Sequence, residues 1–425
     1  MLVDKYINMN CDIMAMYSKM AYRYRIYPDT KRQKCIDEKL LLAQRLYNMI
    51  LEKAQKEYKK NRESRINKST LNRYMKESIS ENKDFLKLYS QARQQVFIRL
   101  QKAFQNFFKR VKEKKKGERI KAGFPRFKSI DRYKSITYPQ DNGSFAIEKE
   151  RKTNMLRISR IGRMKIDLHR SIEGKIKTLT IKKEAGDYHA TFTTVKEIEI
   201  PTIEDTTPVG IDMGLHSFAA MSDGTKIEKP KFVKKSAKRI ARLQRTIARR
   251  NRRSKRREKA KLKLQKKWER TTNLSNDFMQ KLSDKLVSSG YTSFAVEKLN
   301  IQNMVKNHNL AQSIHNASWN RFIQLLSYKA ESAGMRVIKV NPKDTSRTCS
   351  NCGNMQDMPL GVMEYICNRC GMQKDRDINA SINILNRARA GLARSNAQGE
   401  SVRPIGAVLE ELRTYPANNR GSLSL

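Results

Sequence analysis

The sequence predicts a multidomain α+β protein, and three observations predict it. Apolar residues recur at helical spacing between about 30 and 115, then at a period of two between about 134 and 195. From residue 208 onward, single strands alternate with amphipathic helices. Late in that stretch, two C-x2-C pairs fall in a short insertion of the zinc-ribbon kind.

Taken in order, residues 1–20 show no clear pattern and are expected to be a loosely attached extension. YRYRIYP (22–28) alternates and ends in Pro, as a strand does. A helix should follow from Asp29-Thr30 to about Lys60, with Leu40, Leu46, Ile50 and Ala54 near helical spacing, and further helices at about 69–79 and 89–113. In the last of these, Val96, Leu100, Ala103, Phe104, Phe107 and Val111 make a stripe expected to be bundle core. A basic loop, KEKKKGERIKAGFPRFKS, ends the bundle.

Six short alternating segments come next: KSITYP, GSFAIE, MLRIS, GRMKIDL, GKIKTLTIKK and DYHATFTTV. With the strand at 22–28 they suggest a small β-barrel. Tyr138, Phe145, Tyr188 and Phe192 on these strands are either barrel core or platforms for stacked nucleobases. KEIEIPTIEDTT (196–207) is an acidic linker. PVGIDMG then opens a new domain, and SFAAMSDGTKIEKP is a hairpin turning at Ser222-Asp223-Gly224. Beyond it, a helix at 275–288, the strand YTSFAVEKLN, the helix WNRFIQLLSYKAESAG and the strand MRVIKVN lead into the cysteines. Past Arg389 the chain becomes rich in Gly, Ser, Asn and Pro, which predicts a mostly disordered tail at 391–425 with one short helical pattern at 406–413.

The charge balance points to a polyanionic partner. There are 89 Lys and Arg against 42 Asp and Glu, a net charge of +47 that would repel itself in isolation. The excess is spread along the chain rather than along one amphipathic helix, which favours nucleic acid over a membrane surface. No run approaches 18 apolar residues and no secretory signal pattern is seen, and reduced cysteines in zinc-type pairs (below) lead to the expectation of a cytoplasmic protein. From Lys229 to Arg270, 21 of 42 residues are basic and only Glu258 and Glu269 oppose them. Ile240, Leu243 and Ile247 keep helical spacing, so the stretch is a basic helical hairpin. Arg245, Arg249, Arg250, Arg252, Arg253, Lys255, Arg256 and Arg257 are its candidate phosphate contacts.

Of six cysteines, Cys349/Cys352 and Cys367/Cys370 form two C-x2-C turns fourteen residues apart, each followed by a glycine. Each turn can present two thiolates to one ion, the arrangement of a tetrahedral structural Zn²⁺ site. Cys11 and Cys35 have no such partner. Three carboxylates stand at element ends: Asp212 and Glu297 on strands, Asp377 at the start of a helix. A sheet of a hairpin plus parallel strands would gather strand-end residues at one edge. Three acids meeting there are costly unless cations neutralise them, and hard oxygen ligands suit two Mg²⁺ or Mn²⁺ ions. Such a pair can activate water and stabilise the leaving oxygen of a phosphodiester. The alternative is three unrelated surface acids.

GIDMG, FAVEKLN and the C-x2-C…C-x2-CG-x5-DxNAxxNI ending resemble the transposon-encoded TnpB (OrfB) family, compact relatives of the type V CRISPR effector nucleases. RIYP, QVFIRLQKAFQNFF, FPRFKS and GRMKIDLHRSIEGKIKTLTIKK continue the likeness, which covers about residues 21–390. The resemblance implies a β-barrel wedge domain at 21–205 with a helical recognition insert at about 30–115. It implies a RuvC, RNase H-like α/β nuclease domain at 206–390 with a zinc ribbon at about 345–372. The implied activity is RNA-guided DNA cleavage in a prokaryotic cytosol, near the nucleoid. The partners would be a transposon-derived guide RNA and a double-stranded target with one strand displaced, one protein chain serving each guide. Asp212, Glu297 and Asp377 match the catalytic triad, Asn379 would support the site, and Arg347 would reach the scissile phosphate. Ser381 stands where the family usually has Ala. Two other functions remain: a nuclease-inactive RNA-guided DNA-binding regulator on the same fold, which usually lacks one triad acid, and a transposase accessory protein.

Overall fold

The computed structural model describes residues 16–61, 66–117, 120–139, 143–198, 206–214, 216–230, 232–299, 318–359 and 361–397. Cys11, most of the acidic linker and the helical pattern at 406–413 lie outside these residues. The chain divides into two compact units, Met1–Glu199 with Arg250–Lys266, and Ile200–Arg249 with Lys267–Leu425.

In the first unit, β1 (Met16–Tyr27) starts six residues before the alternation is legible. It is held there by an antiparallel ladder to β7 (Asp187–Ile198), from Met16 opposite Ile198 to Ile26 opposite Tyr188. Residues 16–20 are therefore strand rather than loose extension. Three helices follow: α1 (Thr30–Lys60), α2 (Lys68–Glu81) and α3 (Ser90–Lys115). The Asp29 carboxylate caps α1 by accepting the Arg32 N–H at 2.8 Å, and Asn67 caps α2 in the same way. Leu46 and Ile50 of α1, Leu71 of α2, and Val96, Leu100 and Phe104 of α3 close one helical core, so the α3 stripe is buried as its period requires.

The strands β2 (Ser135–Tyr138), β3 (Phe145–Glu150), β4 (Thr153–Ile158), β5 (Gly162–Asp167) and β6 (Lys175–Glu184) join β1 and β7 in one antiparallel sheet. Its order is β2-β6-β7-β1-β5-β4-β3. Among the described residues β2 and β3 are edges that do not pair, so the ladder stays open where a barrel would close. Ile136 and Tyr138 of β2 and Phe145 of β3 nevertheless enter one core with Tyr24, Leu179 and Phe192, so the sheet curls around it. Tyr138, Phe145, Tyr188 and Phe192 are all at most 4% exposed, which makes them core and leaves no face for a base to stack on.

The second unit is built on a mixed sheet in the order β10-β9-β8-β11-β12. β8 (Pro208–Asp212), β9 (Ala219–Met221) and β10 (Lys226–Ile227) form an antiparallel meander, while β11 (Ser293–Glu297) lies parallel to β8 and to β12 (Arg336–Val340). Helices α4 (Phe232–Ala248), α5 (Lys255–Val287), α6 (Trp319–Ser332) and α7 (Arg376–Ala397) complete the helices described in this part of the chain. The helix expected at 275–288 is the distal end of α5. Nothing between 255 and 287 is Gly or Pro, so no residue stops the helix that the basic stretch begins. α7 likewise continues to Ala397 through Ala-, Leu- and Arg-rich sequence, so residues 391–397 are helix rather than disordered tail.

β11 is buried on both faces, as parallel strands are. Phe294 and Val296 pack with Trp319, Phe322 and Leu326 of α6. Ala295, on the opposite face, packs with Ile384 and Ala388 of α7. The approach of α7 to β8 leaves no room for a side chain at Gly210. A Cβ there would overlap the Ser381 carbonyl and lie 3.0 Å from Leu385 Cβ. Gly210→Ala should therefore push α7 off the sheet and destabilise the fold by about 1–3 kcal/mol or more. Thermal unfolding at wild-type temperature would show that the two elements can separate freely.

Candidate carboxylate and cysteine sites

Sheet register brings the first two acids together. Val296 of β11 lies opposite Ile211 of β8, so the two strands end side by side in Glu297 and Asp212. The third arrives on α7, whose N-terminus is built by the preceding residue pair. Asp375 is the N-cap: its Oδ1 accepts the N–H of Asp377 at 3.0 Å and of Ile378 at 3.2 Å, and its other oxygen pairs with Lys226. Asp375 is thus spent on the helix end, and Asp377 is left to face the strands. The Ser217 hydroxyl donates to Asp377 Oδ2 at 3.4 Å, and Gly214 comes close enough that a Cβ there would lie 3.5 Å from the same oxygen.

The electrostatics follow from this crowding. The Asp212 carboxyl is pushed well above the usual carboxylate range, first by burial and then by the charges of Glu297 and Asp377. Burial also raises Glu297, against the Thr345 hydroxyl, which donates to its Oε1 at 2.6 Å, and the Arg387 charge. Among the described residues, the group that offers one ligand atom from each member with all of them within 4.8 Å of one another is the four cysteines, not the three carboxylates. Charges of one sign gathered this closely are costly together, and the raised Asp212 carboxyl reflects that cost.

The cysteines are compact. Cys349 and Cys352 sit in one turn, while Cys367 and Cys370 sit in the turn between β13 (Glu364–Ile366) and β14 (Gln373–Asp375). Sγ of Cys349 is 3.7 Å from that of Cys370, and Cys352 is 3.6 Å from Cys367. A tetrahedral ion with bonds of about 2.3 Å to sulfur requires thiolates about 3.8 Å apart, so the four fit a metal such as zinc. Gly353 and Gly371 take φ of 72° and 71° and donate to the carbonyls of Cys349 and Cys367, each at 3.0 Å. That left-handed turn behind each pair is what the two glycines permit. The Cys370 thiol is lowered to about 6, chiefly by the Met372 N–H and then by the Asn351 amide. Cys35 stands apart in the first unit, near the Arg160 carbonyl.

The remaining expected site residues separate. Asn379 is fully buried and holds the cysteine turn: its Oδ1 accepts the Ser350 N–H at 2.9 Å and its amide donates to the Thr348 carbonyl at 2.8 Å. Arg347 is engaged in ion pairs with Asp344 and Asp357. Ser381 donates to the Ile378 carbonyl at 2.7 Å, a bond that alanine would lack. Arg245, Arg249, Arg252, Arg253, Lys255 and Arg256 are exposed at and around the turn between α4 and α5, with Arg250 and Arg257 half-buried. Thr345, Asn383 and Ser217 touch the site or its supports and were not singled out by sequence. The i, i+4 spacing of Asn379 and Asn383 on one helix face was the available signal for one of them.

Comparison with known proteins identifies the family. A family model described as "Probable transposase", the OrfB model, matches residues 191–308, and one described as "Cas12f1-like, TNB domain" matches 319–384. A "Putative RNA-guided DNA endonuclease" of Streptomyces pristinaespiralis is 30% identical over 402 residues, covering 92% of this chain and 94% of that one. The Escherichia coli K12 protein of the same description, InsQ, is 28% identical over 320 residues, 72% and 76% of the two chains. The chain belongs to the TnpB (OrfB) family. In fold it is similar to the Cas12f1 protein of a cryo-EM complex with sgRNA and target DNA, with a TM-score of 0.57 at 14% identity over 88% of this chain and 99% of that one. Among the described residues, no helix is long and apolar enough to cross a membrane.

The carboxylate cluster makes stability pH-dependent in a chelated protein. A carboxyl whose folded pKa is raised keeps its proton in the folded chain after the unfolded chain has lost it, so stability is lost as pH rises from the ordinary carboxylate value, about 4, to the raised one. Stability should therefore fall with rising pH, and Asp212→Asn should remove part of that loss. At pH 8 in EDTA the variant should melt a few degrees above wild type, about 2–4 °C for each kcal/mol relieved in a unit of this size, with the gap closing at pH 4. Equal melting temperatures at pH 8 would mean that Asp212 carries no such strain.

Proposed function

We propose that the chain is an RNA-guided DNA endonuclease. In this reading residues 21–205 are the wedge domain with its helical recognition insert, and residues 206–390 are a RuvC-like nuclease domain carrying the zinc ribbon. The observation that carries it is the meeting of Asp212, Glu297 and Asp377, drawn from two strand ends and a helix start, in a chain whose net charge is +47. Family membership and the descriptions of its relatives as RNA-guided DNA endonucleases support the same conclusion.

Asp212, Glu297 and Asp377 would hold two Mg²⁺ or Mn²⁺ ions. Ions so bound lower the pKa of water and neutralise charge that develops on phosphodiester oxygens. The protein's own part is to keep the three carboxylates in place before substrate arrives: Asp212 by its strand, Glu297 by its strand and the Thr345 hydroxyl, Asp377 by a capped helix start. Such fixed groups need no reorganisation during reaction. The exposed cations between α4 and α5 would contact phosphates without regard to sequence, leaving sequence to be read by pairing of a guide RNA with the target strand. One Zn²⁺ on the four cysteines would be structural. All three acids are present, which favours cleavage over the binding-only and transposase-accessory roles.

Two measurements test this reading. With matched guide RNA, plasmid target and Mg²⁺, the Asp212→Ala, Glu297→Ala and Asp377→Ala variants should each lose cleavage while gel shifts still show guided binding. Asp375→Ala should cost less, because its loss is that of a cap, about 1 kcal/mol. Cutting at wild-type rate by Asp377→Ala would end the nuclease assignment. For the cysteines, metal analysis should find one zinc per chain, and Cys367→Ser should release it and destabilise the second unit. A fully active protein without zinc would contradict the structural role.

A further inference from the structure

One face of α7 is committed to a single stretch of chain. Asn379, Asn383 and Arg387, four residues apart, bind the backbone of residues 341–350 in sequence. Arg387 donates to the carbonyls of Asn341 (2.9 Å) and Lys343. The Asn383 amide donates to the carbonyls of Thr345 (2.9 Å) and Thr348 (2.7 Å). Asn379 adds a second bond to Thr348 and accepts the N–H of Ser350, next to Cys349. In the middle of this fixed stretch stands Thr345, 2% exposed, with its hydroxyl 2.6 Å from Glu297 Oε1. Glu297 is itself 8% exposed.

We propose that Thr345 is a positioning residue for Glu297, and that the Asn379–Asn383–Arg387 face of α7 holds it in position; the proposal rests on the reading of Glu297 as a metal-holding carboxylate. A hydroxyl has one proton to give. The Pro342 carbonyl, 3.2 Å away, would satisfy it, yet the shorter and charge-assisted contact is to the carboxylate. Oε1 is thereby oriented, and among the described residues nothing hydrogen-bonds Oε2, which is left for a cation. The residue that orients the acid is thus four positions from the first cysteine, and the helix that fixes both is the one that carries Asp377.

The test uses full-length protein bound to its guide RNA and compares Thr345→Val, which keeps the shape and loses the hydroxyl, with Thr345→Ser, which keeps the hydroxyl. Mn²⁺ binding is read from the electron paramagnetic resonance of free ion, and the Mg²⁺ concentration for half-maximal cleavage is measured beside it. Thr345→Val should weaken Mn²⁺ binding and raise the Mg²⁺ requirement by about 10-fold or more, the usual range for a residue that orients a metal ligand, and Thr345→Ser should recover most of it. Zinc content should stay at the wild-type value in both. Thr345→Val binding Mn²⁺ as wild type does would overturn the proposal. So would Thr345→Ser failing as far as Thr345→Val, which would make the position one of packing. Glu297→Gln separates the two levels. If it is inactive while Thr345→Val is normal, only the positioning role falls; if it cuts normally, the reading of Glu297 falls with it.

Discussion

The crowding of Asp212 by Glu297 and Asp377 at one sheet edge is the constraint on which the second unit depends. Nothing in ordinary folding favours it: burial and two like charges push Asp212 away from its ionised form. The arrangement persists because each acid is fixed by something stronger than its own preference. The parallel ladder of β8 and β11 sets Asp212 beside Glu297. The fit of α7 over Gly210, where even a methyl group would collide with the Ser381 carbonyl, brings Asp377 to the same edge. Asp375 completes the division of labour by taking the helix cap and the Lys226 ion pair, so that its neighbour need do neither.

The cysteine insertion belongs to this arrangement rather than beside it. It is placed between β12 and α7, and its second turn is the hairpin whose last residue is the α7 cap. Asn379 reaches back to Ser350 in the first turn. A tetrahedral ion on the four thiols would therefore fix both ends of the loop that introduces the helix. Without such a crosslink, the short strands β13 and β14 have only three residue pairs to hold them together.

What was legible in the sequence was what local spacing encodes. The four cysteines with their glycines, the two strand-end acids and the DxN helix start are patterns of a few residues, and the structure brings each group together. The α3 stripe was legible because a 3.6-residue period leaves little alternative. Less legible were features decided by partners far along the chain. The start of β1 depends on Ile198 opposite Met16, not on any alternation near residue 16. α5 was divided in two because its composition changes from basic to mixed, although nothing in it interrupts the backbone. The openness of the seven-stranded sheet depends on whether β2 meets β3, which no residue of either strand announces. Thr345 is the extreme case: its partner is 48 residues away, and a threonine before a cysteine turn has many ordinary uses.

The dependence of the carboxylate edge on α7 has a consequence for how the protein comes into being. A ribosome makes Asp212 and Glu297 long before Asp377, and Thr345 before the asparagine that holds it. Until the chain has passed α7, two acids face each other on an uncovered sheet with neither the third carboxylate nor the helix that holds the backbone around Thr345. A nascent or prematurely ended chain can thus display much of the basic surface well before it can assemble the edge. The order of the genetic message itself places the basic surface before the carboxylate edge.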